Sequence, residues 1–257
     1  MRRTSVVVCP ETEGIAERAL DLVVEGLRTG IRLRGAAHLA LTGGSSAAAL
    51  FGLLRVAPRA GRVDWSRVHV WQGDERFVPL AHPDRNWAGA LRDWLAADGA
   101  AGAVLHPMPV DEAIDGGHDA AWAAARYAGE LAASLPVRDG APSFDVLLLG
   151  MGGDGHILST FPGTAPTIEQ FETVMPVAAP THIEPHLPRV TLAPFVLRGA
   201  LSIVVMVPGA AKAPTVREVL TTAADPERLP AQLAVRPNAV WLLEPGSAGA
   251  LRSTSES

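Results

Sequence analysis

The chain alternates between short apolar runs and longer segments with apolar residues at helical spacing. Thr12–Arg28 has a helical stripe, for example, whereas Val146–Leu149 is an uninterrupted apolar run. The pattern predicts strands at Ser5–Cys9, Ala37–Leu41, Val68–Trp71, Leu105–Val110, Phe144–Leu149, Thr173–Ala178, Leu201–Val207 and Ala239–Leu243, and helices at Thr12–Arg28, Ser45–Leu54, Asp84–Ala97, His118–Leu135 and Ala210–Thr221. Such alternation favours an α/β fold with a doubly wound, mostly parallel sheet flanked by helices on both faces. Ligands of such sheets bind beyond the carboxyl ends of the strands.

The size of the chain suits one large domain. It has 257 residues, of which 48% are hydrophobic and 19% charged, enough for a substantial core. We predict a single α/β domain over residues 1–245. The small and polar residues 246–257 are predicted to form a flexible tail.

Charge and cysteine content limit the classes of partner. The net charge of −5 favours neither nucleic acid nor an anionic membrane as a partner. The single cysteine, Cys9, excludes an internal disulfide and a thiolate metal cluster. The apolar segment Ser5–Cys9 is too short for a signal peptide, and no segment has the length of a membrane span. We therefore expect a cytoplasmic protein that is a monomer or a weak homodimer.

The segment Phe144–Gly163 has the composition of a catalytic loop. A buried strand ends at four glycines, among which lie Asp154 and His156. Glycine allows sharp turns and close approach to a ligand, and an acid beside an imidazole can share a proton near neutral pH. The glycines also match the G-x-G-x-x-G dinucleotide motif, but Pro162 would interrupt its helix. A purely structural glycine turn is a further alternative.

A second loop, Thr42–Ser46, opens the helix that follows the second strand. Backbone N–H groups at a helix start, with the helix dipole and the hydroxyls, form a phosphate cradle at Gly43, Gly44 and Ser45. Two alternatives remain open. Ser45 either caps its own helix or is the nucleophile of a hydrolase elbow.

Further charged residues follow other strands. The third strand is followed by Asp74, Glu75 and Arg76, and Lys212 begins the helix after the Leu201–Val207 strand. His82 has no near partner by spacing, so a structural role is favoured. His182 and His186 are separated by Pro185 and do not form a metal motif. The histidines His38, His69, His106 and His118 are predicted to stand alone.

Taken in order, these segments resemble the 6-phosphogluconolactonase family, within the wider glucosamine-6-phosphate isomerase/deaminase group. The resemblance covers nearly the whole chain. The segments that carry it are Thr42–Ser45, Trp71–Pro79, His82 with Asp84 and Asn86, Gly150–His156, Phe161–Gly163, Pro188–Leu192, Gly209 with Lys212 and Ala213, Pro230 with Ala231, and Trp241–Leu243. The resemblance implies a Rossmann-like sheet of the NagB/phosphosugar-isomerase type.

The resemblance further implies hydrolysis of 6-phospho-D-glucono-1,5-lactone to 6-phosphogluconate in the oxidative pentose phosphate pathway. The implied ligand is therefore a phosphosugar lactone, with no cofactor and no metal. His156 would activate water, and either Asp154 or Asp74 would orient its imidazole. The phosphate would be held by a larger set, namely Gly43, Gly44, Ser45, Arg76, Arg189 and Lys212.

The chain departs from the family pattern at several positions. The family typically has Thr-Pro where Ser46-Ala47 stands, Pro where Gly153 stands, and Thr-Ala-Ser where Ile157–Ser159 stands. It commonly has Ser where Arg85 stands, and the larger, charged Arg85 could alter sugar recognition or add a phosphate contact. Two alternative functions stay open, a glucosamine-6-phosphate isomerase/deaminase with Asp74 as base and a non-catalytic sugar-phosphate sensor.

Overall fold

The computed structural model describes residues 4–56, 58–96, 100–164 and 171–254. The strands are β1 Ser5–Val8, β2 Ala37–Leu41, β3 Val68–Gln72, β4 Asp74–Arg76, β5 Val104–His106, β6 Val137–Arg138, β7 Ala141–Pro142, β8 Val146–Gly150, β9 Val174–Val177, β10 Arg189–Leu192, β11 Ile203–Val207 and β12 Ala239–Leu243. The α-helices are α1 Thr12–Arg34, α2 Ser45–Val56, α3 Asn86–Ala90, α4 Val110–Asp115, α5 Ala120–Ser134 and α6 Ala213–Thr221. A π-helical turn at Leu91–Leu95 continues α3.

The main sheet has seven strands in the order β1-β12-β11-β8-β2-β3-β5, and every pairing in it is parallel. The predicted doubly wound α/β fold is confirmed. Because β1 pairs with β12, the two ends of the chain meet in one sheet. The carboxyl ends of the four strands β11, β8, β2 and β3 lie side by side and define the edge at which a ligand is expected.

Two apolar cores lie on opposite faces of this sheet. In β8, Leu147 and Leu149 face the core against α5 and α6, whereas Val146 and Leu148 face the core against α1 and α2. Successive residues of a strand point to opposite faces, so a strand covered on both sides is apolar throughout. Each fully buried Leu or Val stabilises the fold by about 1.5–3 kcal/mol, which makes β8 a strong anchor for the loop that follows it.

A second, antiparallel sheet with the order β4-β10-β9 was not predicted from the sequence. Its register sets Arg189 of β10 opposite Arg76 of β4. Of its strands, β4 and β10 were missed, because three or four residues give too little periodicity to be recognised in a sequence. This small sheet nevertheless brings together two basic residues that are 113 positions apart in the chain.

Three element boundaries differ from the predicted ones. The helix predicted at Thr12–Arg28 continues to Arg34. The strand predicted at Leu105–Val110 ends at His106, and Val110 begins α4, because Pro107 and Pro109 cannot donate to a strand ladder. The helix predicted at Asp84–Ala97 begins at Asn86, and Ala97 lies outside the described residues. The other predicted strands and helices lie within a few residues of the observed ones.

The carboxyl-terminal segment packs on the domain at its start. Ser247 and Ala248 are buried, and a 3₁₀ turn spans Gly249–Thr254. Residues 255–257 of the predicted tail lie outside the described residues, and the domain boundary at residue 245 stays a prediction. Within the described ranges, none of the helices has the length and apolar character needed to cross a membrane.

Candidate active site

A cavity of about 190 Å³ lies at the predicted edge of the sheet. Its walls come from the loops after β2, β8 and β11, from β4, which follows β3, and from the first residue of β10, so several separate segments contribute to one site. The sequence-predicted residues that line it are Gly43, Gly44, Ser45, Asp74, Arg76, His156, Arg189 and Lys212. Of the predicted site residues, Asp154 does not line the cavity, but it contacts His156, which does.

The loop after β2 presents a helix amino terminus to the cavity. Gly44 has φ +86, a backbone conformation that favours glycine, and α2 starts at Ser45. The first N–H groups of an α-helix have no partner within the helix, and the helix dipole places partial positive charge there. The local geometry therefore matches the predicted phosphate cradle.

Three cationic side chains complete the basic wall of the cavity: Arg76, Arg189 and Lys212. The Nε atoms of Arg76 and Arg189 are buried and have no hydrogen-bond partner among the described residues. Burial lowers the pKa of Lys212 and that of Arg189. Buried cations with unsatisfied donors are costly, and an anion bound between them would lower that cost.

An acid–imidazole pair lies at the tip of the loop after β8. The Nδ1 atom of His156 lies 2.6 Å from the Oδ1 atom of Asp154, which also accepts the backbone N–H of His156 at 3.1 Å. A Cβ atom on Gly152 would lie 2.1 Å from the His156 Nδ1 atom, so only glycine leaves room for the pair. Because a carboxylate only accepts hydrogen bonds, Nδ1 carries a proton, and the neutral ring keeps a free acceptor at Nε2.

The environment of Asp154 keeps its carboxyl group ionised. Burial alone would raise the pKa of Asp154, but the hydrogen bonds and charge of His156, with a hydrogen bond from His182, hold it well below its usual range. An ionised carboxylate hydrogen-bonded to Nδ1 orients the imidazole and can offset the positive charge that the ring gains when it takes a proton, as in hydrolytic triads. The pair can thus accept a proton from a cavity ligand.

Asp74 also faces the cavity, but it has other partners. Its Oδ2 atom accepts a hydrogen bond from the Ser159 hydroxyl at 2.7 Å, and its Oδ1 atom lies 3.4 Å from the Asn86 Nδ2 atom. Within the described chain, no hydrogen bond joins Asp74 to His156. Of the two acids considered for orienting the imidazole, Asp154 is the one in contact with it.

Arg85 does not reach the cavity. Its side chain is 0% exposed, although it borders an adjoining groove of about 520 Å³. The guanidinium forms ion pairs with Glu75 at 3.0 Å and with Asp111 at 2.7 Å. The charge of Arg85 thus offsets that of buried Glu75, and a contact of Arg85 with sugar or phosphate stays a prediction.

Sequence reasoning missed two features built from histidine. The Nε2 atom of His182 lies 2.9 Å from the Oδ2 atom of Asp154. The prediction that the other histidines stand alone is wrong. His69 Nδ1 lies 2.9 Å from His106 Nε2, and the His38 and His69 ring centroids are 4.8 Å apart. Neighbouring parallel strands bring these rings together, and only the strand register, which spacing does not reveal, could have indicated it.

The geometry bears on the alternatives left open by the sequence. Residues Met151–Thr164 form turns instead of the continuous helix that a dinucleotide motif requires. Among the described residues, no hydrogen bond joins Ser45 to a histidine, as a nucleophile elbow would need. In the same part of the chain, no three His, Cys, Asp or Glu side chains are arranged to hold a metal ion.

Comparisons with known proteins agree on one family. The family model described as glucosamine-6-phosphate isomerases/6-phosphogluconolactonase matches residues 10–242. A 6-phosphogluconolactonase of Mycobacterium tuberculosis is 36% identical over 97% of this chain and 99% of its own length. A 6-phosphogluconolactonase of Synechocystis is 35% identical over 90% of this chain and 91% of its own length. The 6-phosphogluconolactonase structure from Trypanosoma brucei has the same fold, with a TM-score of 0.84 at 23% identity over 98% of this chain and 100% of its own.

Proposed function

This chain belongs to the glucosamine-6-phosphate isomerase/6-phosphogluconolactonase family, and we propose that it hydrolyses 6-phospho-D-glucono-1,5-lactone to 6-phosphogluconate. The observation that carries the proposal is the shared cavity. A basic wall and an acid-oriented imidazole line the same space of about 190 Å³. A substrate with a phosphate at one end and a cyclic ester at the other matches both features. The reaction would belong to the oxidative pentose phosphate pathway.

The basic wall would bind the phosphate. The N–H groups at Gly44 and Ser45 would donate to its oxygens, and Arg76, Arg189 and Lys212 would offset its negative charge. Hydrogen bonds between charged partners are about twice as strong as neutral ones. Anchoring the phosphate in this way positions the lactone ring toward His156.

The imidazole would carry the proton transfers. The Nε2 atom of His156 takes a proton from water while the water oxygen bonds to the lactone carbonyl carbon. The resulting imidazolium, stabilised by Asp154, then gives that proton to the ring oxygen as the C–O bond breaks. The product is the open-chain acid, and the ring returns to its neutral form. Because a lactone is an activated acyl group, these steps require neither a metal nor an organic cofactor.

One observation favours a second candidate, a glucosamine-6-phosphate isomerase/deaminase. Asp74 lines the same cavity as His156, and that chemistry requires a carboxylate base beside the sugar carbons. Both named relatives above 30% identity are 6-phosphogluconolactonases, which supports the lactonase as the first candidate.

A direct assay separates the candidates. Freshly prepared lactone is mixed with enzyme, and acid release is followed and corrected for spontaneous opening. Turnover that is much faster than with unphosphorylated gluconolactone supports the proposal. Ammonia release from glucosamine 6-phosphate without lactone turnover would support the deaminase instead, and binding of both sugars without turnover would support a sensor.

The cytoplasmic location and the monomeric or weakly dimeric state stay predictions. Cell fractionation and light scattering of the purified protein would test them.

A further inference from the structure

The carboxylate of Asp154 has two imidazole partners. Its Oδ1 atom contacts His156 Nδ1 at 2.6 Å, and its Oδ2 atom contacts His182 Nε2 at 2.9 Å. The proposed reaction uses only the first of these rings. The second comes from the loop between β9 and β10, far from Asp154 in sequence.

We propose that His182 is a positioning residue that acts through Asp154 and sets the pH range in which His156 works as a base. The inference rests on the proposed function of His156. It adds a residue that does not line the cavity around His156.

The three groups form a compact unit around Phe161. The Phe161 ring centroid lies 4.8 Å from that of His156 and 5.8 Å from that of His182. The guanidinium of Arg189 lies 5.2 Å from the same ring centroid. Phe161 thus contacts both imidazoles, and among the described residues the carboxylate of Asp154 is the polar group that bridges them.

His182 is placed to exchange protons with solvent. Its side chain is 46% exposed, and within the described chain its Nδ1 atom has no hydrogen-bond partner. Protonation at Nδ1 leaves the Nε2 contact to Asp154 intact, because the charged ring donates from both nitrogens. His182 can therefore be neutral or positive without losing its position.

A positive charge on His182 makes the protonation of His156 less favourable. A positive ring at Oδ2 offsets part of the Asp154 charge, so the imidazolium form of His156 is stabilised less. The other charged groups around the pair are Arg76, Arg189, Lys212 and Asp74 in the cavity wall. On the loop of His182, Glu184 is paired with His186 at 3.0 Å. These groups are unchanged in variants of His182, so a comparison isolates its effect.

Two variants of opposite charge test the inference. His182→Gln keeps a donor without a titratable charge, and His182→Lys holds a permanent positive charge. We expect the acidic limb of the kcat/KM pH profile to lie at higher pH in His182→Gln than in His182→Lys by about 0.5 unit or more, with the wild type between them. Two charges on one carboxylate could shift the acidic limb further, but solvent screens the half-exposed His182 and keeps the expected shift small.

The control is His186→Gln, in the same loop, whose partners are Glu184 and the Pro180 carbonyl rather than Asp154. Its acidic limb should coincide with that of the wild type. If the His182 variants lose activity equally at every pH, or their limbs coincide, His182 only holds the loop and the inference is overturned.

A measurement without turnover separates this inference from the proposed function. NMR titration of the His156 ring in the same proteins should show the same order of midpoints. If the wild type lacks lactonase activity, the proposed function fails, and the NMR order still decides the inference.

Discussion

Replacing Arg85 with Ser should destabilise the fold, because it leaves a buried carboxylate without its counter-charge. The side chains of Arg85 and Glu75 are both 0% exposed, and their Nε and Oε2 atoms lie 3.0 Å apart as an ion pair without hydrogen-bond alignment. Removing one partner of a buried ion pair costs about 3–5 kcal/mol. The second ion pair of Arg85, with Asp111, adds little because Asp111 is 46% exposed.

The contacts that Glu75 retains place the expected cost at the lower end of that range. Its carboxylate also accepts hydrogen bonds from Gln72 Nε2 and from the backbone N–H groups of Arg76, Asn86 and Trp87, at 2.7–2.8 Å. Such donors stabilise the charged form even without a guanidinium. We therefore expect a loss of about 3 kcal/mol for Arg85→Ser. With a urea slope of about 3 kcal/mol/M, the unfolding midpoint should fall by about 1 M.

The assay is urea unfolding followed by tryptophan fluorescence. The control is Arg92→Ser, the same change at a side chain that is 73% exposed, and it should alter stability by less than about 0.5 kcal/mol. A double-mutant cycle with Glu75→Gln should give a coupling energy of at least about 1.5 kcal/mol. A midpoint for Arg85→Ser equal to that of Arg92→Ser would refute the reasoning, since the N–H donors would then suffice for Glu75.

Three further predictions follow from the site and from the core. Lys212→Ala should raise the dissociation constant for 6-phosphogluconate, measured by calorimetry, about 10- to 100-fold, because a hydrogen bond to a charged group contributes about 1.5–3 kcal/mol. The kcat should change little. An unchanged dissociation constant would show that Lys212 does not bind the phosphate. Asp154→Asn should lower kcat on the lactone by about 10²–10⁴, since the imidazolium loses its counter-charge, and kcat within threefold of wild type would exclude that role. Burial, with the nearby His69, His106 and Arg34, lowers the pKa of His38 to about 4. Between pH 6.5 and 4 the unfolded chain therefore binds a proton that the folded chain does not. Between pH 7 and 4.5 the free energy of unfolding, measured with urea, should fall by about 2 kcal/mol more in the wild type than in His38→Gln. Equal losses would contradict the shifted pKa.

The sheet and the loops at its edge could be predicted because short stretches of consecutive residues indicate them. The apolar run at Val146–Leu149 indicates a strand covered on both faces, and the glycines after it indicate a turn with a close approach. The rule that ligands bind at the carboxyl ends of parallel strands then placed Ser45, Asp74, His156 and Lys212 at one edge. Each of these inferences depends on a few consecutive residues or on a general property of parallel sheets.

Contacts that depend on tertiary register could not be predicted in this way. The pairing of Arg76 with Arg189 requires the β4–β10 register, and the contact of His182 with Asp154 requires the path of a long loop. The ion pair of Arg85 with buried Glu75 was not predicted either, because the position of Arg85 beside Asn86 in the sequence does not show where its guanidinium lies. Sequence spacing shows which residues are near in the chain but not which way a side chain points.

The most direct test of the central claim is the hydrolysis of fresh 6-phosphogluconolactone by His156→Ala, beside the binding of 6-phosphogluconate to the same protein. Loss of the imidazole should lower kcat/KM by about 10²–10⁴, whereas the dissociation constant should stay within about threefold of wild type, because the phosphate is held by other residues. Lactone turnover at the wild-type rate by His156→Ala would contradict the claim that this imidazole activates the attacking water.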